Sequence, residues 1–83
     1  MAQNEIVVQV DGCMPARLRL NRWTKYGKDR IYVNEIRARI EKKYGYLDLL
    51  TNRFVWEIPY TNPRFHAAVE DAVKNYAETV MAR

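Results

Sequence analysis

Asn34-Glu35-Ile36-Arg37-Ala38-Arg39-Ile40-Glu41-Lys42-Lys43-Tyr44-Gly45 is the stretch on which the fold turns. Asn34 is a good N-cap, Glu35 suits a first helical turn, and Ile36, Ile40 and Tyr44 recur every four residues. Gly45 then stands where a helix commonly ends on glycine. This spacing predicts a short helix at 35-44. The alternative is an extended strand that puts Tyr32, Asn34, Ile36, Ala38 and Ile40 on one face, and period alone leaves both readings open.

On the N-terminal side the pattern is β. Glu5 to Val10 reads as a strand with Ile6, Val8 and Val10 on one face and Glu5, Val7 and Gln9 on the other, closed by the turn signal Asp11-Gly12. Ala16 to Trp23 alternates again, with Leu18 and Leu20 inward and Arg17, Arg19 and Asn21 outward. The polar segment from Lys25 to Asp29 carries Gly27 and turns the chain. Arg30 to Val33 resumes a strand with Ile31 and Val33 inward and Arg30 and Tyr32 outward. These two runs make a hairpin.

On the C-terminal side, Tyr46 to Leu50 and Arg53 to Ile58 read as a second hairpin joined across Thr51-Asn52, and Pro59 ends it. Asn62 is an N-cap and Pro63 a first helical residue. Phe65, Ala68, Val69, Ala72, Val73, Tyr76, Ala77 and Val80 then form one stripe of an amphipathic helix of roughly five turns. Its opposite face, with Glu70, Asp71, Lys74, Asn75 and Glu78, reads as solvated. The expected fold is a single α+β domain over residues 1–83: an antiparallel sheet of five strands, with the C-terminal helix on one face and the other face left open.

Composition bounds what such a domain can do. The chain has 83 residues, 48% of them hydrophobic, which is enough for one core and leaves little room for a deep pocket. The lone Cys13 forms no internal disulfide, and Met1 is followed by the polar Ala2-Gln3-Asn4-Glu5, so a cytoplasmic protein is expected. No apolar run approaches the roughly 18–20 residues of a membrane span, so no membrane partner is expected. His66 is the only histidine, lies far in sequence from Cys13, and with it cannot furnish the nitrogen and sulfur ligands of a zinc site. Gly12, Gly27 and Gly45 stand alone and form no phosphate loop. No catalytic residue, metal or cofactor is expected.

Charge is distributed unevenly. The net +4 hides an excess of +7 between Pro15 and Lys43, where ten basic residues meet only Asp29, Glu35 and Glu41. On the outward side of the first hairpin, alternation gathers Arg17, Arg19, Asn21, Arg30 and Tyr32, with Trp23, Lys25, Tyr26 and Lys28 at its tip. Phosphates call for several cations in a row, and unpaired bases stack on flat rings. The competing reading is that Trp23 and Tyr32 cover the edge of the core with Arg stems packed over them.

Two strings, Ile31-Tyr32-Val33-Asn34-Glu35-Ile36 and Lys42-Lys43-Tyr44-Gly45-Tyr46-Leu47-Asp48-Leu49, resemble the hexamer and octamer of the RNA-recognition-motif family. Only five residues separate them, where that family places a full helix and a further strand, and no strand follows the last helix. The strings therefore do not bring that fold with them. Arg22-Trp23-Thr24-Lys25-Tyr26-Gly27-Lys28-Asp29-Arg30-Ile31-Tyr32-Val33-Asn34, followed by Gly45-Tyr46-Leu47-Asp48-Leu49, is similar to a short segment of uncharacterised bacterial proteins, some of which carry a nuclease-related domain. That resemblance implies a β-rich module accompanying nucleic-acid-processing proteins. It lends no catalytic residues, because the nuclease part has no counterpart in this chain.

The residues thus point to a non-enzymatic module binding RNA or DNA, with Arg17, Arg19, Arg22, Lys25, Lys28 and Arg30 on phosphates and Trp23, Tyr26 and Tyr32 on bases. The alternative is a protein-interaction module or small inhibitor of phage or mobile-element type, for example anti-CRISPR-like, docking on a host protein or nucleoprotein complex. Trp23, Trp56, Tyr46 and Tyr60 would then be its anchors. A homodimer through an open sheet edge is compatible with either.

Overall fold

The structure is a computed structural model and describes residues 4–59 and 62–81. Five strands follow one another in space as in sequence: β1 (Glu5–Val8), β2 (Ala16–Lys25), β3 (Lys28–Arg37), β4 (Ile40–Asp48) and β5 (Arg53–Trp56). Every neighbouring pair is antiparallel. One helix, α1 (Pro63–Met81), covers one face, so the expected α+β domain is what the chain forms. Tyr60, one of the candidate anchors, lies outside the described residues.

The stretch Asn34–Gly45 is not a helix. It is the second half of β3, a two-residue turn at Ala38-Arg39, and the first half of β4. The helical spacing is real but local, and tertiary pairing overrides it. The β2–β3 ladder runs unbroken from Lys25 opposite Lys28 to Leu18 opposite Glu35, which holds residues 34 and 35 extended. β4 then pairs back along the other edge of β3, with Ile36 opposite Glu41 and Arg37 opposite Ile40. Ala38 takes the left-handed conformation that closes so short a turn (φ 49°).

Gly45 is likewise no helix terminus. Val33 stands opposite Gly45 whereas Asn34 stands opposite Lys43, so Tyr44 is an extra residue and β4 carries a bulge. Gly45 has φ 154°, and a Cβ there would collide with the Val55 carbonyl oxygen of β5 and sit 3.1 Å from the Trp56 Cα. Only glycine suits the position. The bulge turns Tyr44 inward, where it is buried among the core residues.

The core lies between the sheet and α1. Leu18, Leu20, Ile31, Val33 and Leu47 meet Val69 and Val73 from the helix, all at most 2% exposed. Each such side chain contributes about 1.5–3 kcal/mol through burial. The helix starts as expected, with Asn62 Oδ1 accepting from the Phe65 amide at 3.2 Å. Two details differ. Val80 lies near the helix end and is exposed, while Glu70 is half-buried and accepts from the Trp56 indole Nε1 at 2.9 Å. The face expected to be fully solvated therefore contributes one tie to the sheet. His66, 2% exposed, stacks on the same indole with ring centroids 3.9 Å apart.

The remaining boundaries shift modestly. β1 ends at Val8, two residues before the expected Val10, and the Val10–Cys13 turn follows, closed by the Cys13 amide on the Val10 carbonyl. The second hairpin turns through Leu49 to Asn52, since Asp48 and Arg53 are its last paired residues. Replacing Gly45 with Ala should cost roughly 2–4 kcal/mol, because backbone strain and a clash act together. Gly27, at φ 73°, has open space within 4 Å of the point where a methyl group would stand. Gly27→Ala should therefore cost only about 1–2 kcal/mol. Urea unfolding of the two variants measures the difference.

Candidate functional site

Sheet alternation decides which side chains face away from α1. Leu20 opposite Val33 is core, so Asn21 opposite Tyr32 and Trp23 opposite Arg30 are on the open face, as is Lys25 opposite Lys28. On β4 the bulge changes the parity: Leu47 is core, yet Tyr46 and Lys43 both reach the open face, opposite Tyr32 and Asn34. Val55 on β5 lies opposite Tyr46 and is 41% exposed.

The rings on this face form a row across the strands. Tyr26 at the hairpin tip, 90% exposed, is 6.4 Å from Trp23. Trp23 meets Tyr32 edge-on at 6.3 Å, and Tyr32 meets Tyr46 at 5.4 Å. Arg30 lies over the Tyr46 ring, 4.1 Å from its centroid, and donates from Nη1 to the Tyr32 hydroxyl at 3.0 Å. Lys43 Nζ is 5.8 Å from the Tyr32 centroid. The rings are therefore packed on one another and on Arg30 across the open face. Tyr46 and Lys43 are the members that sequence reasoning left out of the basic and aromatic set. Their signal is hidden when residues 35–44 are read as a helix.

The cations divide into two groups. Arg17 and Arg19 share the open face but converge on Glu5, whose side chain is 4% exposed: Arg17 Nη2 is 2.6 Å and Arg19 Nη2 3.6 Å from its oxygens. Arg19 also pairs with Glu41, which accepts from Asn34 as well. The Arg17 hydrogen bond, aided by the charges of Arg17 and Arg19, holds the Glu5 carboxyl below its ordinary pKa against the opposing effect of burial. Arg22 stands opposite Ile31 and so projects toward the helix side, where it grips Asp29 with two hydrogen bonds at 3.0 and 2.8 Å. That contact lowers the Asp29 pKa. Lys25, Lys28 and Arg30 make no ion pair among the described residues. The positive field of the open face is thus concentrated at the β2–β3 hairpin end and fades toward Glu5 and Glu41.

On the helix side a shallow open groove of about 510 Å³ runs beside the Cys13–Ala16 segment, Glu35, Tyr44 and Phe65. Its polar groups are engaged. Glu35 accepts from the Tyr44 hydroxyl and from Arg37 Nε, both at 2.8 Å, and Cys13 Sγ accepts from Asn62 Nδ2 at 3.4 Å. Burial, and then the bond to Glu35, push the Tyr44 pKa upward. Among the described residues no three His, Cys, Asp or Glu side chains cluster as metal ligands would, and no helix is long and apolar enough to cross a membrane.

Comparison with protein-family models, curated proteins and solved structures found no match. The chemistry of this chain has to be argued from its own faces.

Three groups with lowered pKa values tie stability to pH, His66 from an ordinary value above those of Glu5 and Asp29. Burial depresses the His66 pKa below its ordinary 6.5, with the charge of Glu70 opposing. The unfolded chain therefore takes up that proton first, and stability present above pH 6.5 is lost as pH falls below it. Glu5, depressed from 4.5, contributes stability above that pH and loses it as pH falls through the folded value. Urea unfolding between about pH 8 and pH 3 should show two declines. His66→Phe should remove the first and Glu5→Gln should shrink the second.

Proposed function

We propose that the open sheet face binds nucleic acid without catalysing a reaction on it. The observation that carries this reading is the juxtaposition of the Trp23–Tyr32–Tyr46 ring row with Lys25, Lys28 and Arg30, which make no ion pair among the described residues, Asp48 standing opposite Arg30 on the same face. Phosphate oxygens would meet the lysines and the guanidinium, and planar bases have rings to lie on. The net charge of +4 and a pI near 9.4 favour an anionic partner from a distance. Sequence readout is not needed for such a contact, because every base has a π face.

Within this reading the nine candidate residues take unequal parts. Lys25, Lys28 and Arg30 are the phosphate contacts, and Trp23, Tyr32 and the exposed Tyr26 the stacking surfaces. Arg17 and Arg19 hold Glu5 and Glu41 and set the boundary of the field. Arg22 braces the hairpin through Asp29.

Fluorescence anisotropy with labelled oligonucleotides at about 50 and 200 mM salt tests this division. Reversing Lys25, Lys28 and Arg30 together to Glu should abolish measurable binding at the higher salt. Their conservative replacement by Gln should lower the slope of log K against log salt by about three, roughly one per phosphate contact. Arg17→Gln should leave that slope within about half a unit of wild type. No binding at the lower salt, or a slope unmoved by the triple Gln variant, would refute the reading.

A further inference from the structure

We infer that the ligand of this face is a single strand whose successive bases lie on Trp23, on Tyr32 and on the Arg30 guanidinium that covers Tyr46, with its path running across β2, β3 and β4. The inference rests on the nucleic-acid reading above and adds the class of nucleic acid and its direction. Neighbouring rings in the row are 6.3 and 5.4 Å apart, centre to centre. Bases in a stacked strand rise by about 3.4 Å. Consecutive bases that each occupy one ring are therefore drawn apart from one another, which a duplex, with its bases paired and stacked, does not allow. A duplex offers base edges in its grooves, and rings set side by side on a sheet have no use for them.

The cations that make no ion pair favour one direction. A strand lying along β3 toward Asn34 would pass the carboxylates of Glu41 and Glu5, which occupy that end of the open face. A strand crossing from the hairpin end passes Lys25 and Lys28 beside Trp23, then the guanidinium of Arg30, which has Asp48 opposite it, then Lys43 near Tyr32, paired with Glu57 at 3.2 Å. Beyond Tyr46 it reaches the exposed Val55 on β5. Because Arg30 already lies on Tyr46, a base at that step stacks on the guanidinium plane, itself a flat cationic surface. Tyr26, 6.4 Å from Trp23, is placed to extend the row by one base at the tip.

Four probes decide it: oligothymidylate and oligouridylate of about 12 nucleotides, a DNA duplex of the same length, and inorganic polyphosphate. The expected result is that at least one single strand binds about tenfold or more tighter than the duplex and quenches indole fluorescence. Polyphosphate should bind without quenching. Trp23→Ala should weaken the single strand by roughly 5- to 100-fold while leaving polyphosphate unchanged. Trp23→Phe, which keeps a ring, should retain most of the affinity and lose the quench, separating Trp23 from Trp56 on the helix face. Circular dichroism checks that each variant is folded; if Trp23→Ala is not, the Phe variant and the quench decide. Preference for one of the two strands supports the inference. Equal binding of strand, duplex and polyphosphate without quenching overturns it while leaving the charge-based reading intact. Failure of all four to bind overturns both.

Discussion

The close passage of β5 beside Gly45 governs both faces of the sheet. With the Val55 carbonyl oxygen where a side chain would begin, position 45 admits only glycine, and its backbone takes up the bulge that adds Tyr44 to β4. That single insertion resets the alternation of the strand. On one side of the bulge it sends Tyr44 into the core, against Phe65 of the helix and bonded to the buried Glu35. Around it, Lys43 and Tyr46 come to lie on the same open face, although a regular strand would send residues three apart to opposite sides. Without the bulge the aromatic row would end at Tyr32.

Electrostatics refine what the bare count of basic residues suggests. An excess of seven positive charges between Pro15 and Lys43 describes a region of sequence, whereas a ligand experiences the charges left unneutralised on one face. Glu5 is decisive here because it is nearly inaccessible and flanked by two guanidinium groups, so its charge is neither screened by water nor free to leave. Arg17 and Arg19 are committed to it, and releasing them toward phosphates would leave a buried carboxylate unpaired. At the hairpin end Asp29 holds Arg22, whereas Lys25, Lys28 and Arg30 make no ion pair among the described residues. A stretch that looks uniformly basic in sequence is therefore polarised in the folded chain.

Much of this was legible in the residues. The alternation of Leu18, Leu20, Ile31 and Val33, the Asn62-Pro63 start and the Val69–Val73–Ala77 stripe name the sheet face and the helix that meet, and they do so because burial enforces period. The stretch from Asn34 to Gly45 was not legible, since its isoleucines at i and i+4 satisfy a helical period while their neighbours satisfy a strand. What settles it is the reach of β2, whose ladder extends to Glu35, and no local signal carries that information. The same misreading concealed Tyr46 and Lys43 as partners of Tyr32. Alternation puts Glu5 on the open face, but its burial goes with Arg17 and Arg19 folding over it, which alternation alone does not disclose.

Among the described residues one helix covers one face of the five-stranded sheet and leaves the other open. Trp23, Tyr32 and Tyr46 are held half-buried by contacts with one another, by the guanidinium of Arg30 and by the ammonium of Lys43, while Tyr26 at the tip and Val55 on β5 stay exposed. The same packing fixes their positions before any ligand arrives. Order that costs entropy is thereby spent in folding and not again in binding, which is the condition under which modest stacking contacts yield useful affinity. Partial burial of the rings and readiness to stack are two consequences of one arrangement, so Trp23 and Tyr32 stand where the demands of stability and of recognition coincide.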